Sequence, residues 1–215
     1  AESLQVIDTM SSRRPGEFVR VEAARLADAK RAFTTRRVPL GVAAGLVAEG
    51  VTPRAGDLVL ARVTRLGQHK TLQAVSGRRQ NLFVGDEIIA VFGHRYAPDQ
   101  FEAVVPESLG PCQLAAGGGV IATVRHGHMR MGRPTEVLPL GLLTDAQGAV
   151  INIRRYRLSD KSACVAPPAC VIAVLGTSMN AGKSTVAAHL IRGLRRTGLK
   201  VGAAKVTGTG AGADT

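Results

Sequence analysis

Between an apolar run, Cys170 to Leu175, and an apolar-periodic stretch from Lys183 to about Arg196 lies Gly176-Thr177-Ser178-Met179-Asn180-Ala181-Gly182-Lys183-Ser184-Thr185. No other segment of the chain restricts its folding so tightly. A short, fully apolar run ahead of a glycine-bearing turn reads as a buried strand, and the three- and four-residue spacing after it reads as a helix. Such a turn aims successive backbone N–H groups inward at the start of a helix, where unpaired amides and the helix dipole favour an anion such as a phosphate. Gly176, Thr177, Asn180, Ala181 and Gly182 would form the cradle. Lys183 is a mobile point charge for β- and γ-phosphates, the Ser184 hydroxyl suits Mg²⁺, and Thr185, one residue on, can touch an α-phosphate. The plain alternative is a glycine-rich strand-to-helix turn with no ligand.

A second apolar run, Lys200 to Val206, follows Gly198, so residues 170–215 read as strand, loop, helix, strand. The expected fold class there is an α/β P-loop NTPase with a parallel sheet. The usual pattern places a glycine where this chain has Thr177, with Gly176 one step earlier. The order Gly-Thr, four residues, Gly-Lys-Ser/Thr resembles the loop of the dethiobiotin-synthetase-like branch of P-loop proteins, which includes cobyrinate amidases and molybdopterin-guanine dinucleotide biosynthesis B proteins. The resemblance covers residues 170–215 only. It implies that Lys205, at the end of the second strand, sits beside the transferred phosphate. It also implies that Asp214 holds magnesium or its water, or orients a nucleophile; a loop aspartate is the other reading. A doubly wound nucleotide domain normally needs about five parallel strands. Two strands and one helix leave the sheet incomplete in this chain, to be finished by further sequence or by a second chain, with a homodimer as one outcome.

The sequence ahead of that unit has a different organisation. Val19, Ala23, Leu26 and Ala27 recur at helical spacing, which predicts a helix over Glu17 to Arg31, and a second short helix after Pro39. From Asp57 the pattern turns to strands. Leu58 to Val63, Thr71 to Val75, Asn81 to Val84, Glu87 to Phe92, Phe101 to Val105, Gly119 to Arg125, Thr135 to Pro139 and Ala149 to Arg154 are the candidates, with glycines or prolines between most of them. Many short strands predict a small barrel or sandwich. The expected organisation is an N-terminal helical segment (1–56), a β-rich domain (57–158), a linker (159–169) holding Pro167-Pro168, and the start of a nucleotide-binding domain (170–215). Gly117-Gly118-Gly119 reads as a tight turn or a close backbone approach.

A net charge of +12 favours polyanions as partners, but the arginines fall in scattered doublets, Arg13-Arg14, Arg36-Arg37, Arg78-Arg79, Arg154-Arg155 and Arg195-Arg196, which read first as a solvated surface. No apolar stretch reaches the ~18 to 20 residues of a membrane span. The start of the sequence shows no secretory signal. Cys112, Cys164 and Cys170 make an odd count without a Cys-x-x-Cys pair, which suits a reducing cytoplasm. His126 and His128 share the spacing from which two imidazoles reach one metal, with His69 and His94 the only added candidates. Two ligands are not a site, and surface or turn histidines are the expectation. The stretch Gly93 to Phe101 reads either as a recognition loop or as aromatics packing a barrel end.

These readings converge on Mg²⁺-dependent ATP or GTP binding, with hydrolysis, phosphoryl transfer or ligation. Lys183, Lys205 and Asp214 are the candidate catalytic residues, Ser184 and Asp214 the metal ligands, and an unidentified small molecule or protein the substrate. In the competing reading, nucleotide occupancy controls a partner or nucleic acid held by the basic N-terminal domain.

Overall fold

The computed structural model describes residues 18–157, 170–177 and 181–205. In chain order its elements are β1 (Val19–Arg20), α1 (Ala23–Asp28), β2 (Lys30–Arg31), β3 (Gly45–Val47), β4 (Leu58–Arg65), β5 (Thr71–Gln73), β6 (Arg79–Asn81), β7 (Glu87–Phe92), β8 (Arg95–Tyr96), β9 (Phe101–Val104), β10 (Cys112–Ala116), β11 (Val120–Gly127), β12 (Thr135–Thr144) and α2 (Lys183–Arg196).

Alternation within β4 and β7 drives the assembly. Val59, Ala61 and Val63 point to one side of β4 with Ile88, Ala90 and Phe92 of β7, and meet Cys112, Leu114, Ile121 and Val137 there in one buried cluster. Leu58, Leu60, Ile89 and Val91 point the other way, onto Leu26 of α1, Val38, Leu46 and Leu143. Both faces of these strands are covered, which is why they read as continuous apolar runs.

The pairings close on themselves. β4 pairs antiparallel with β7 and β12, β12 with β10, and β10 with β11, while β11 returns to β7 in parallel through Val120↔Val91 and Ile121↔Phe92. A ring of β4, β7, β11, β10 and β12 encloses the first cluster and has no free edge among its own strands. β3 and β1 extend the sheet beyond β12, and β9 and β8 extend it beyond β11. β2 adds in parallel to β7, and β5 and β6 form a separate hairpin.

Gly117-Gly118-Gly119 serves this closure. Gly119 has φ of +100°, and a Cβ on it would lie 2.1 Å from the Cβ of Ala32. Its carbonyl accepts from the Thr34 hydroxyl at 2.9 Å, so the β10–β11 turn lies hard against the chain after β2.

Two expectations are corrected. The helix over Glu17 to Arg31 shrinks to α1, because Val19 and Arg20 pair with β3 and Lys30 and Arg31 pair with β7. After Pro39 there is one 3-10 turn, Leu40–Val42. The larger correction is the fold class. The described residues form a mostly antiparallel, mixed β-structure with two α-helices, not an α/β fold with a parallel sheet. Neither 170–177 nor 199–205 forms a strand, and Val171 and Leu175 are each 87% exposed. Parallel strands are buried on both faces and need neighbours on each side. Two apolar runs and one crossover helix cannot supply that.

Candidate phosphate-binding loop and a basic barrel end

α2 begins where the spacing predicts. Gly182 caps it with φ of +78°, in the left-handed region glycine occupies without strain, and its carbonyl accepts from the Val186 N–H at 2.9 Å. As in every α-helix, the first-turn amides have no intrahelical acceptor. No acidic residue occupies that turn. Gly198, with φ of +86°, closes the other end, where Arg195 and Arg196 offset the negative end of the dipole.

The loop folds back on the lysine that starts the helix. A Cβ on Gly176 would stand 2.8 Å from Lys183 Cγ, 2.9 Å from its Cδ and 3.4 Å from Ala181 Cβ. The Gly176 backbone therefore presses on the aliphatic stem of Lys183, which is half-buried, while Ser184 and Thr185 are exposed. Thr177, Ala181 and Gly182 are also exposed. Asn180 and Asp214 lie outside the described residues. Lys205 is exposed, with no strand beneath it. From residue 170 to 205 the sequence has no Asp or Glu and carries Lys183, Arg192, Arg195, Arg196, Lys200 and Lys205.

The histidines do not converge on a metal. Among the described residues no three His, Cys, Asp or Glu side chains are grouped for one. His126 and His128 are exposed, and His128 Nδ1 accepts from the Arg130 N–H at 3.2 Å. His69 is enclosed at the barrel end, edge-on to Phe101 with ring centroids 5.8 Å apart, and its Nε2 lies 3.2 Å from the Ala115 carbonyl. Burial holds this imidazole below its ordinary pKa; the Ala115 contact opposes that and nearby Arg95 adds to it. Arg95 donates to the same carbonyl at 2.6 Å and to Gln100 Oε1 at 2.7 Å. In the stretch Gly93 to Phe101, Ala97 and Phe101 pack into the barrel end while His94, Tyr96, Pro98 and Asp99 are exposed. Cys112 is buried, and burial pushes its thiol up to about 12.

No family model, curated protein or solved structure matches the chain.

One grouping escapes a reading by doublets. The β4–β5 loop and the β11–β12 loop are tied together: Gln68 N–H donates to the Arg133 carbonyl at 2.8 Å, Gly132 N–H to Gln68 Oε1 at 3.1 Å, and the Thr135 hydroxyl to the His69 carbonyl at 2.6 Å. Arg65, Lys70, Arg125, Arg130 and Arg133 are all exposed on these two loops and their flanks. The signal available in the sequence was the lack of any Asp or Glu from 124 to 135 and from 58 to 85.

Proposed function

We propose that this chain binds ATP or GTP with Mg²⁺ through the loop Gly176 to Thr185. One observation supports the reading: Gly182 turns left-handed into α2 while Gly176 closes on the stem of Lys183, so the glycines at the two ends of the loop and the cation belong to one local unit.

The residues fit the bound group by type. Glycine at 176 leaves room for the stem of Lys183, and the first-turn amides supply donors. Lys183 contributes a charge-assisted contact to the terminal phosphates. Ser184 would hold the magnesium through its hydroxyl, with Asp214 the second candidate ligand. Magnesium, when bound, neutralises charge on the phosphate oxygens. Hydrolysis, phosphoryl transfer or ligation extends this proposal, with Lys205 and Asp214 as the residues that would act on the transferred group, and the β-rich part conferring substrate choice or regulation. A reducing cytoplasm is part of the same proposal, supported by an odd cysteine count without a Cys-x-x-Cys pair.

The test is equilibrium binding of ATP and GTP with Mg²⁺ to the chain and to Lys183→Ala. Loss of a charge-assisted contact costs about 1.5 to 3 kcal/mol, so the variant should bind tenfold or more weakly. Equal binding by the variant, or none by either, removes the proposal for this chain.

A further inference from the structure

The basic barrel end offers a partner surface separate from the nucleotide loop. The segment Arg125-His126-Gly127-His128-Met129-Arg130 is exposed throughout, and Met129 at its tip is 98% exposed. Its position is fixed at both sides: His128 N–H donates to the Gln100 carbonyl at 2.8 Å, and Gly132 and Arg133 are tied to Gln68. Irregular backbone held this way presents its side chains from a defined frame. Lys70 follows His69 on the tied neighbour loop, so cations from two remote stretches of sequence face solvent at one end of the barrel.

The carboxylates nearby do not cancel this charge. Glu136 is ion-paired with Arg65. Asp99 and the half-buried Glu102, which pairs in register with both Tyr96 and His126, are outnumbered by Lys70, Arg125, Arg130 and Arg133 plus two exposed imidazoles. The same end also carries π-faces. Tyr96 pairs in register with Glu102, and Glu102 with His126, so Tyr96 and His126 stand in one cross-strand row on the outer face, and Tyr96 is 76% exposed.

We propose that this end binds single-stranded nucleic acid, the arginines and Lys70 contacting phosphates and Tyr96 and His126 stacking on bases. Phosphates spaced along a strand match cations spread over two loops better than one compact anion does. Exposed rings reward a partner whose bases are free to unstack, which favours a single strand over a duplex. An anionic membrane would use the charge but would find only Met129 and the partly exposed Leu66 on the two tied loops, too little to insert.

The experiment is fluorescence anisotropy of labelled oligo(dT) of about 15 nucleotides with the full chain across a salt series. The patch variant is Arg125→Gln/Arg130→Gln/Arg133→Gln, and the charge-matched control is Arg20→Gln/Arg37→Gln/Arg54→Gln. All six positions are exposed, so both variants should keep the native circular dichroism spectrum. The patch variant should bind tenfold or more weakly, with a log–log salt slope about 2 shallower. Tyr96→Ala should weaken binding about tenfold without changing the slope, and Lys183→Ala should leave it unaltered, which separates this surface from the nucleotide loop. Equal loss in patch and control variants would show diffuse attraction and overturn the proposal. So would absence of oligonucleotide binding, or binding of phosphatidylserine vesicles alone.

Discussion

Asn152 donates through Nδ2 to Asp57 Oδ1 at 2.8 Å, across 95 residues of sequence. The same amide reaches the Ala55 carbonyl at 3.0 Å, and its Oδ1 accepts from the Arg154 N–H at 2.9 Å. Asp57 Oδ2 accepts in turn from the Arg54 N–H at 2.8 Å. Asp57 is buried at the start of β4, and Gly56 beside it, at φ of +92°, leaves room for Asn152, whose Oδ1 would stand 2.7 Å from an added Cβ. One side chain thus joins the segment after β12 to the entry of β4.

Asn152→Ala should therefore destabilise the fold by about 2 kcal/mol, since it removes a donor from a buried carboxylate and leaves that group's desolvation uncompensated. Urea unfolding would measure it. A change within about 0.5 kcal/mol would mean that water replaces the amide and that the junction contributes little.

The tight approach of Gly119 to Ala32 yields a second expectation. Gly119→Ala combines a left-handed backbone with a Cβ contact at 2.1 Å, and should cost about 3 kcal/mol. Adding Ala32→Gly removes the 2.1 Å contact and leaves the backbone part and a 3.0 Å approach to Thr34 Oγ1. The double variant should recover 1 kcal/mol or more, by about that order. If it recovers nothing, the clash is not what makes glycine necessary at 119.

How far these contacts were legible in the sequence follows from their range. Apolar runs marked β4 and β7 because both faces of each strand are buried by distant residues, and a glycine next to Lys183 marked the start of α2. Gly45–Val47 and Cys112–Ala116 carried no such mark: the first is three residues long, and the second ends in two alanines and runs into a glycine turn, so they form strands only because β12 and β11 offer edges. The helix expected over Glu17 to Arg31 was cut back at both ends in the same way, by pairing of Val19 and Arg20 with β3 and of Lys30 and Arg31 with β7. Doublets of arginine hid the basic end, because its charges are assembled by hydrogen bonds between loops more than 60 residues apart. The apolar run Cys170 to Leu175 showed the opposite failure, since composition for a buried strand does not create neighbouring strands.

Stability should depend on pH through two groups with separate windows. Burial lowers the native pKa of His69 below its ordinary value of 6.5. The unfolded chain then takes up a proton first as pH falls, so the His69 contribution is whole above 6.5 and is lost progressively below it. Glu87 is lowered from 4.5 by the hydrogen bond from Arg25 at 2.8 Å, opposed by burial and helped by Arg62. Its contribution is present above 4.5 and fades below. Urea midpoints across this range should show a decline beginning near 6.5 that His69→Gln abolishes, and a further one below 4.5 that Glu87→Gln abolishes. A native profile flat from 7.5 to 5 would show that His69 is protonated in the fold as readily as outside it.

Within the nucleotide loop, Gly176 and Ser184 make separable predictions. Gly176→Ala places a methyl group against Lys183 Cγ and Cδ, and those atoms belong to a flexible side chain that can move aside. The fold should therefore survive, with the ammonium displaced, and Mg²⁺–ATP binding should weaken about tenfold, as for a lost charge-assisted contact. Ser184→Ala leaves Lys183 in place but removes the hydroxyl proposed to hold the metal, so its defect should appear with Mg²⁺ and vanish with EDTA. Calorimetric titration of both variants, with and without the metal, tells them apart. An equal Ser184→Ala defect in both conditions would place the hydroxyl on phosphate instead of magnesium, and normal binding by Gly176→Ala would mean that the position of the Lys183 stem does not govern phosphate capture.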